Sequence, residues 1–264
     1  MKETFRKVQS EVPFNNFRPL MEHDGESVSE NLGGDCLYVA DILVQELREK
    51  GYEPYYIEAT DSRHVGVICK NEQGQEFILE PTMPGLPPIA VKDLYPEGSN
   101  KIFPRFPVVN GHPSICRAEI HNAIFASLKF EIIQKARIGI HRSPYVSFEF
   151  NLNDQSLSNP RTQTPLAERL PRFHIALTLQ ETEKQNTISV TKNVHDGTLK
   201  IIDGQKGIIK RQFGTRYQFK KHLEKLCERL GTPPAELLEI FAESVDIRNR
   251  IAKENESILE CSPQ

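Results

Sequence analysis

Three side chains stand in an order that suits thiol chemistry: Cys36 in "NLGGDCLYVADILVQELREKGYEP", His64 at the head of "HVGVICKNEQGQEFILEP", and Glu80 near its end. A cysteine nucleophile acts as the thiolate and needs a base, and the base needs an acceptor that fixes its tautomer. Cys36 follows two glycines and an acid and opens an apolar periodic stretch, which places the thiol at a helix start. There the positive end of the helix dipole favours a thiolate, and free amides suit a developing oxyanion. Gly33 and Gly34 are the candidate positions where a co-substrate comes close to the backbone. Alone, a glycine-flanked cysteine is a weak signal, because buried inert thiols are common.

The elements that must position these groups are legible around them. Leu37, Ala40, Leu43, Val44 and Leu47 form one stripe of a helix from about Cys36 to Lys50, with Gly51 as its left-handed cap. "YEPYYIEAT" reads as a strand. The stretch from His64 to Glu80 alternates, breaks at Asn71–Gly74 and alternates again, the pattern of a β-hairpin. A four-residue loop pairs Lys70 with Gln75. A five-residue loop pairs Cys69 with Gln75 and sets His64 directly opposite Glu80, with Cβ atoms about 4.5–5.5 Å apart on one face. In that register Glu80 holds one ring nitrogen while the other faces Cys36. A solvated Glu and a turn-adjacent His are the plainer explanation of either residue alone. Their order and hairpin geometry favour the triad, with Asp61 and Asp93 as the next orienting candidates.

Further along, Pro81, Pro84, Pro87 and Pro88 break regular structure, and "PEGSNKIFPRFPVVNGHP" is expected to be irregular or extended. "AIFASLKFEIIQKARIGI" fits a helix or two strands, and strands are favoured because "YVSFEFNL" alternates just after it. "RFHIALTLQ", "TISVTKN" and "TLKIID" are strand patterns. A helix from Thr215 ends at Gly231, and Thr232 is expected to cap a second helix with Pro233 at its first position. The fold class is α+β. Residues 1–55 form a helical segment bearing Cys36, residues 56–155 an antiparallel β-barrel or sheet bearing His64 and Glu80, and residues 156–264 an α/β portion ending in two helices.

Composition narrows the function classes. The 264 residues carry 33 Lys+Arg against 36 Asp+Glu, a balance that points to neither nucleic acid nor an anionic membrane. No apolar run reaches the length of a membrane span, and "MKETFRKVQSEVPF" has no apolar signal-peptide core. The five cysteines are odd in number and scattered, with no Cys-x-x-Cys pair, which fits a cytoplasmic protein with reduced thiols. His112, His121, His141, His174 and His195 show no metal-ligand spacing, and no Gly-x-x-x-x-Gly-Lys phosphate loop occurs. "KGIIKRQFGTRYQFKKH" gathers cations and aromatics that suit the phosphates of a pantetheine cofactor or an acidic carrier domain. A solvated face explains it more simply.

"VPFNNFRPL", "LGGDCLYVA", "EKGYEP", His64 and "FILEPTMPG" together resemble the arylamine N-acetyltransferases, over about the first ninety residues and more faintly beyond. That family shows a Pro-Phe-Glu-Asn segment, an Arg-Gly-Gly-aromatic-Cys motif at a helix start, then His, then Asp. Its core is shared with transglutaminases and cysteine proteases. The resemblance implies Cys36 as the acylated nucleophile, His64 as the base, Glu80 as the carboxylate and a lid-like C-terminal portion. Pro13, Phe14 and Asn16 match the first segment, with Asn15 where Glu is usual. Leu32 replaces the motif arginine, Asp35 the aromatic residue, and Glu80 the aspartate. The function this implies moves an acyl group from acyl-coenzyme A or a carrier-protein thioester, through Cys36, to a small-molecule amine. No permanently bound cofactor is needed. The alternatives are a transglutaminase-like or papain-like amide hydrolase and a catalytically weakened binding module of the same fold.

Overall fold

The computed structural model describes residues 1–60, 64–95, 101–109, 112–122, 127–133, 146–157, 165–171, 174–205, 207–210 and 216–260. In chain order the elements begin with α1 (Lys2–Glu11), β1 (Phe14–Asn15), α2 (Arg18–His23) and α3 (Cys36–Glu49). The strands β2 (Pro54–Ala59), β3 (Val65–Lys70), β4 (Glu76–Leu79), β5 (Ile89–Ala90), β6 (Lys101–Val109), β7 (His112–Asn122), β8 (Ser127–Ile133) and β9 (Val146–Ser156) follow. The chain closes with β10 (His174–Glu181), β11 (Asn186–Asn193), β12 (Leu199–Asp203), β13 (Gly207–Lys210), α4 (Arg216–Leu230) and α5 (Pro234–Glu260). The class is α+β, with antiparallel sheets.

Two compact units partition these elements, and they interleave along the chain rather than following the three consecutive segments expected from sequence. The first comprises residues 1–12, 36–163 and 180–187. It holds an eight-stranded sheet in the order β5-β4-β3-β2-β9-β8-β7-β6. One face packs on α1 and α3 through Phe5, Val8, Leu37, Ala40, Leu43, Val44 and Leu47 against Val65, Val67 and Leu79. The other face buries Ile57, Ile68, Ile78, Phe130 and Phe150. Strand β3 is therefore covered on both sides, which is why "VGVIC" is a continuous apolar run. The stripe of α3 is the one its spacing predicted, and Gly51 ends it at φ +80°.

The second unit comprises residues 13–35, 164–179 and 188–264. Its sheet runs β1-β10-β11-β12-β13, and the tip of the β10–β11 hairpin clusters with the first unit. Its core combines Phe17, Leu20, Leu32, Leu177, Val190 and Ile201 with Leu223, Leu226, Leu237 and Phe241 of α4 and α5.

Of the irregular or extended forms expected for "KIFPRFPVV", the extended one is found: it is strand β6 despite its prolines, because it lies at the sheet's end, where a residue without an N–H costs no ladder bond on the outer side. The cap expected at Thr232 is different. α5 begins at Pro234, so Pro233 precedes the helix. The Thr232 hydroxyl donates to Leu230 O at 3.4 Å and its amide to Cys227 O at 3.1 Å, so the residue finishes α4 rather than capping α5. The first residues, treated above only as lacking an apolar core, form the amphipathic helix α1. Of the basic run, Lys206 and residues 211–215 lie outside the described residues; Phe219 is core, and Lys220 faces Glu224 at 3.6 Å.

Candidate active site

The β3–β4 hairpin carries the carboxylate side of the site, and its register differs from the expected one. Lys70 pairs with Glu76 and Val67 with Leu79. The reason lies in the turn. Asn71 Oδ1 accepts from the amides of Gln73 and Gln75 at 3.0 and 2.9 Å, and the Asn71 amide donates to Gln75 O at 2.9 Å. The ladder thus runs one pair further than assumed and leaves Glu72–Gly74 as the turn, with Gly74 at φ +74°. Continued to the hairpin base, this register sets Gly66 opposite Glu80 and puts His64 on the diagonal. The slip is two residues, so both side chains keep the same face.

The diagonal is what a glutamate can span. His64 Nε2 meets Glu80 Oε2 at 2.7 Å, with the two side chains only 7% and 2% exposed. Gly66 lies beside this link: a Cβ there would stand in van der Waals contact with Glu80 Oε2, at 3.4 Å. The second carboxylate oxygen is occupied as well. The Thr82 hydroxyl donates to Glu80 Oε1 at 2.6 Å and the Thr82 amide at 3.1 Å. Asp93 lies on an exposed turn, and Asp61 lies outside the described residues.

His64 is also hydrogen-bonded to Cys36. With Nε2 turned to Glu80, the nitrogen available to sulfur is Nδ1. Phe148 of β9 stacks on the imidazole with centroids 4.0 Å apart and planes at 20°, and Phe150 meets its edge at 6.0 Å. Burial opposes a charge on this ring. The carboxylate of Glu80 and the hydrogen bonds and charge from Cys36 and Glu80 outweigh it, so the pKa of His64 is raised. The balance favours an imidazolium beside the sulfur.

Cys36 is the first residue of α3, at the helix's positive end, and is half-buried. The other described cysteines differ. Cys69, Cys116 and Cys227 are buried, and burial pushes their thiols up to about 11, 12 and 11. Asp35, the acid before Cys36, is half-buried.

Gly33 and Gly34 serve the chain's own packing. Gly33 has φ +66°, and a Cβ there would overlap the Pro13 carbonyl. The Gly34 amide donates to Pro13 O at 3.2 Å, and its carbonyl accepts from the Asn15 amide at 2.7 Å. Arg18, 5% exposed, donates to the carbonyls of Gly33 and Ser29, and Asn15 Nδ2 donates to Leu32 O at 2.7 Å. This close backbone pairing accounts for the glycine at position 33, while Gly34 contributes backbone hydrogen bonds that any residue could make.

Sequence reasoning missed Thr82 and Phe148. Thr82 was visible only as a hydroxyl two residues beyond the carboxylate, and Phe148 as an inward position of the alternating "YVSFEF". Among the described residues no group of three or more His, Cys, Asp or Glu side chains is arranged to hold a metal ion, and no helix is long and apolar enough to cross a membrane.

No protein-family model matches the chain, and no curated protein matches it in sequence. Solved structures do. An arylamine N-acetyltransferase of Nocardia farcinica superposes with a TM-score of 0.52 at 14% identity, covering 85% of this chain and 80% of its own. An arylamine N-acetyltransferase of Bacillus cereus, described with a Cys-His-Glu catalytic triad, gives 0.43 at 14% identity over 83% and 86%. The first likeness, at 14% identity, is one of architecture. The chain has the fold of the arylamine N-acetyltransferases.

Proposed function

We propose that this protein is a cysteine-dependent N-acyltransferase. The observation that carries the reading is the relay itself: a buried imidazole hydrogen-bonded to Cys36 on one side and to Glu80 on the other. In the first half-reaction the Cys36 thiolate attacks the carbonyl carbon of an acyl thioester. A new S–C bond forms, the donor's C–S bond breaks, and His64 gives its proton to the departing thiolate. In the second half an amine attacks the Cys36 thioester, the S–C bond to Cys36 breaks, and the amine's proton passes to His64. The charged pair is thereby restored. Glu80 never meets substrate; it holds the ring and its charge. Acyl-coenzyme A or an acyl carrier protein is the donor, a small-molecule amine the acceptor, and the cytoplasm the proposed location.

Intact-mass analysis after incubation with acetyl-coenzyme A, and separately with longer acyl-coenzyme A, tests this. The expected result is one acyl adduct, absent in Cys36→Ala and discharged by an amine. Cleavage or deamidation of peptides without an adduct would assign an amide hydrolase. Neither activity, with Cys36 alkylating no faster than an ordinary exposed thiol, would leave a binding module. Peptide mapping should also find Cys36 alkylated well ahead of Cys69, Cys116 and Cys227.

A further inference from the structure

One oxygen of Glu80 makes the whole link to His64, and the other is held by a residue outside the relay. Thr82 donates to Oε1 through its hydroxyl at 2.6 Å and its amide at 3.1 Å. Pro81 lies between them and fixes one backbone torsion of the connection, so the turn from carboxylate to Thr82 is largely preset. The Glu80 backbone carbonyl also accepts from the Met83 amide at 3.4 Å, which closes the same turn.

The need for such a clamp follows from the hairpin geometry. Glu80 lies opposite Gly66 and reaches His64 on the diagonal, across a position that offers no side chain to lean on. A glutamate has one more side-chain torsion than an aspartate, so its carboxylate can swing unless something anchors it. Hydrogen bonds to an ionised carboxylate are among the stronger ones available, and a pair on one oxygen also sets the plane of the group. With Oε1 engaged twice, only Oε2 is presented to the ring.

We infer that Thr82 is the positioning residue that allows a glutamate to orient His64 in this relay. The inference rests on the proposed reading only in taking the relay as functional; its content is the path Thr82 to Glu80 to His64. Any effect of the Thr82 hydroxyl on the thiol must therefore run through the Glu80 carboxylate.

The test is the pH dependence of Cys36 alkylation by iodoacetamide, located by peptide mass mapping on the full chain. It compares the wild type with Thr82→Val, Thr82→Ser, Glu80→Gln and the double variant Thr82→Val/Glu80→Gln. Valine keeps the branched shape and the amide but removes the hydroxyl. Thr82→Val is expected to slow Cys36 alkylation at neutral pH about tenfold. Thr82→Ser should restore the wild-type profile. In the Glu80→Gln background the valine change should cost nothing further, because the shared path is already cut. Thr82→Ala gives the same comparison if the valine variant does not fold. A folded Thr82→Val protein that matches the wild type would overturn the inference. So would an equal loss in the Glu80→Gln background, which would make Thr82 a packing residue only. A wild-type Cys36 that alkylates fast yet takes no acyl group would sink acyl transfer and leave the Thr82 result standing. A wild-type Cys36 with ordinary reactivity overturns both.

Discussion

The two ends of the β3–β4 hairpin hold the same kind of pair under opposite conditions. At the tip, Lys70 and Glu76 face each other at 3.6 Å with side chains 56% and 36% exposed. At the base, His64 and Glu80 meet at 2.7 Å almost entirely out of water. An exposed pair is screened and contributes between nothing and about 1 kcal/mol. The buried pair costs desolvation on both partners and is sustained only by a full set of hydrogen bonds, here from Thr82 and to Cys36. One end of the ladder sets the register, and the other depends on it. The tip matters less for its own charges than for where it sends Glu80.

The sharpest way to break the contrast is at the base. Glu80→Gln keeps the size of the side chain but removes the charge that holds the ring, and turnover should fall by on the order of tenfold to a thousandfold. The comparable change in a serine triad costs about ten-thousandfold, and a thiol leans less on its third member. Glu80→Asp should also be worse than wild type, because an aspartate opposite Gly66 is one methylene short of the diagonal. Unchanged turnover in Glu80→Gln would show that the orienting group lies elsewhere.

A second test reads the charge itself. The raised pKa of His64 predicts that the ring stays protonated through neutral pH in the folded chain, which NMR titration of its ring protons checks. In Glu80→Gln, burial acts without the carboxylate and the value should drop. The sign for stability follows: a group with a raised folded pKa contributes fully below its unfolded value, about 6.5, and loses that contribution as pH rises through the folded value. The urea midpoint should therefore decline more steeply on the alkaline side in wild type than in Glu80→Gln. Parallel curves would break the argument.

Smaller effects belong to the tip. Gly74→Ala places a side chain at φ +74° with open space around it, so only backbone strain counts, on the order of 1 kcal/mol in urea unfolding. Lys70→Ala should change stability by less than about 0.5 kcal/mol and leave turnover untouched. A tip substitution that kept stability but lost activity would reveal a register shift delivered to the base.

Much of the frame was legible because it is local. The stripe from Leu37 to Leu47 and the cap at Gly51 required only helical spacing, and the hairpin required only alternation and a polar break. The parity that puts His64 and Glu80 on one face survived a wrong register, because a slip of two residues preserves it. The register itself was hidden in the side chain of Asn71, whose two accepted hydrogen bonds lengthen the ladder by a pair. Strand β6 was obscured by its prolines, which are tolerated only because of its place in the sheet. Thr82 and Phe148 were illegible for other reasons: only the turn after Glu80 returns the Thr82 hydroxyl to the carboxylate, and only folding brings Phe148 to His64.

The stacking of Phe148 on His64 bears on how protons are managed. With one ring face covered, an edge against Phe150 and both nitrogens engaged, the imidazole exchanges its protons mainly with its bonded partners. In the proposed reaction the proton given to the departing thiol leaves with that product and a second one arrives with the amine, each handed over directly within the site. Rates set by such direct transfers should be indifferent to the concentration of the buffer around them.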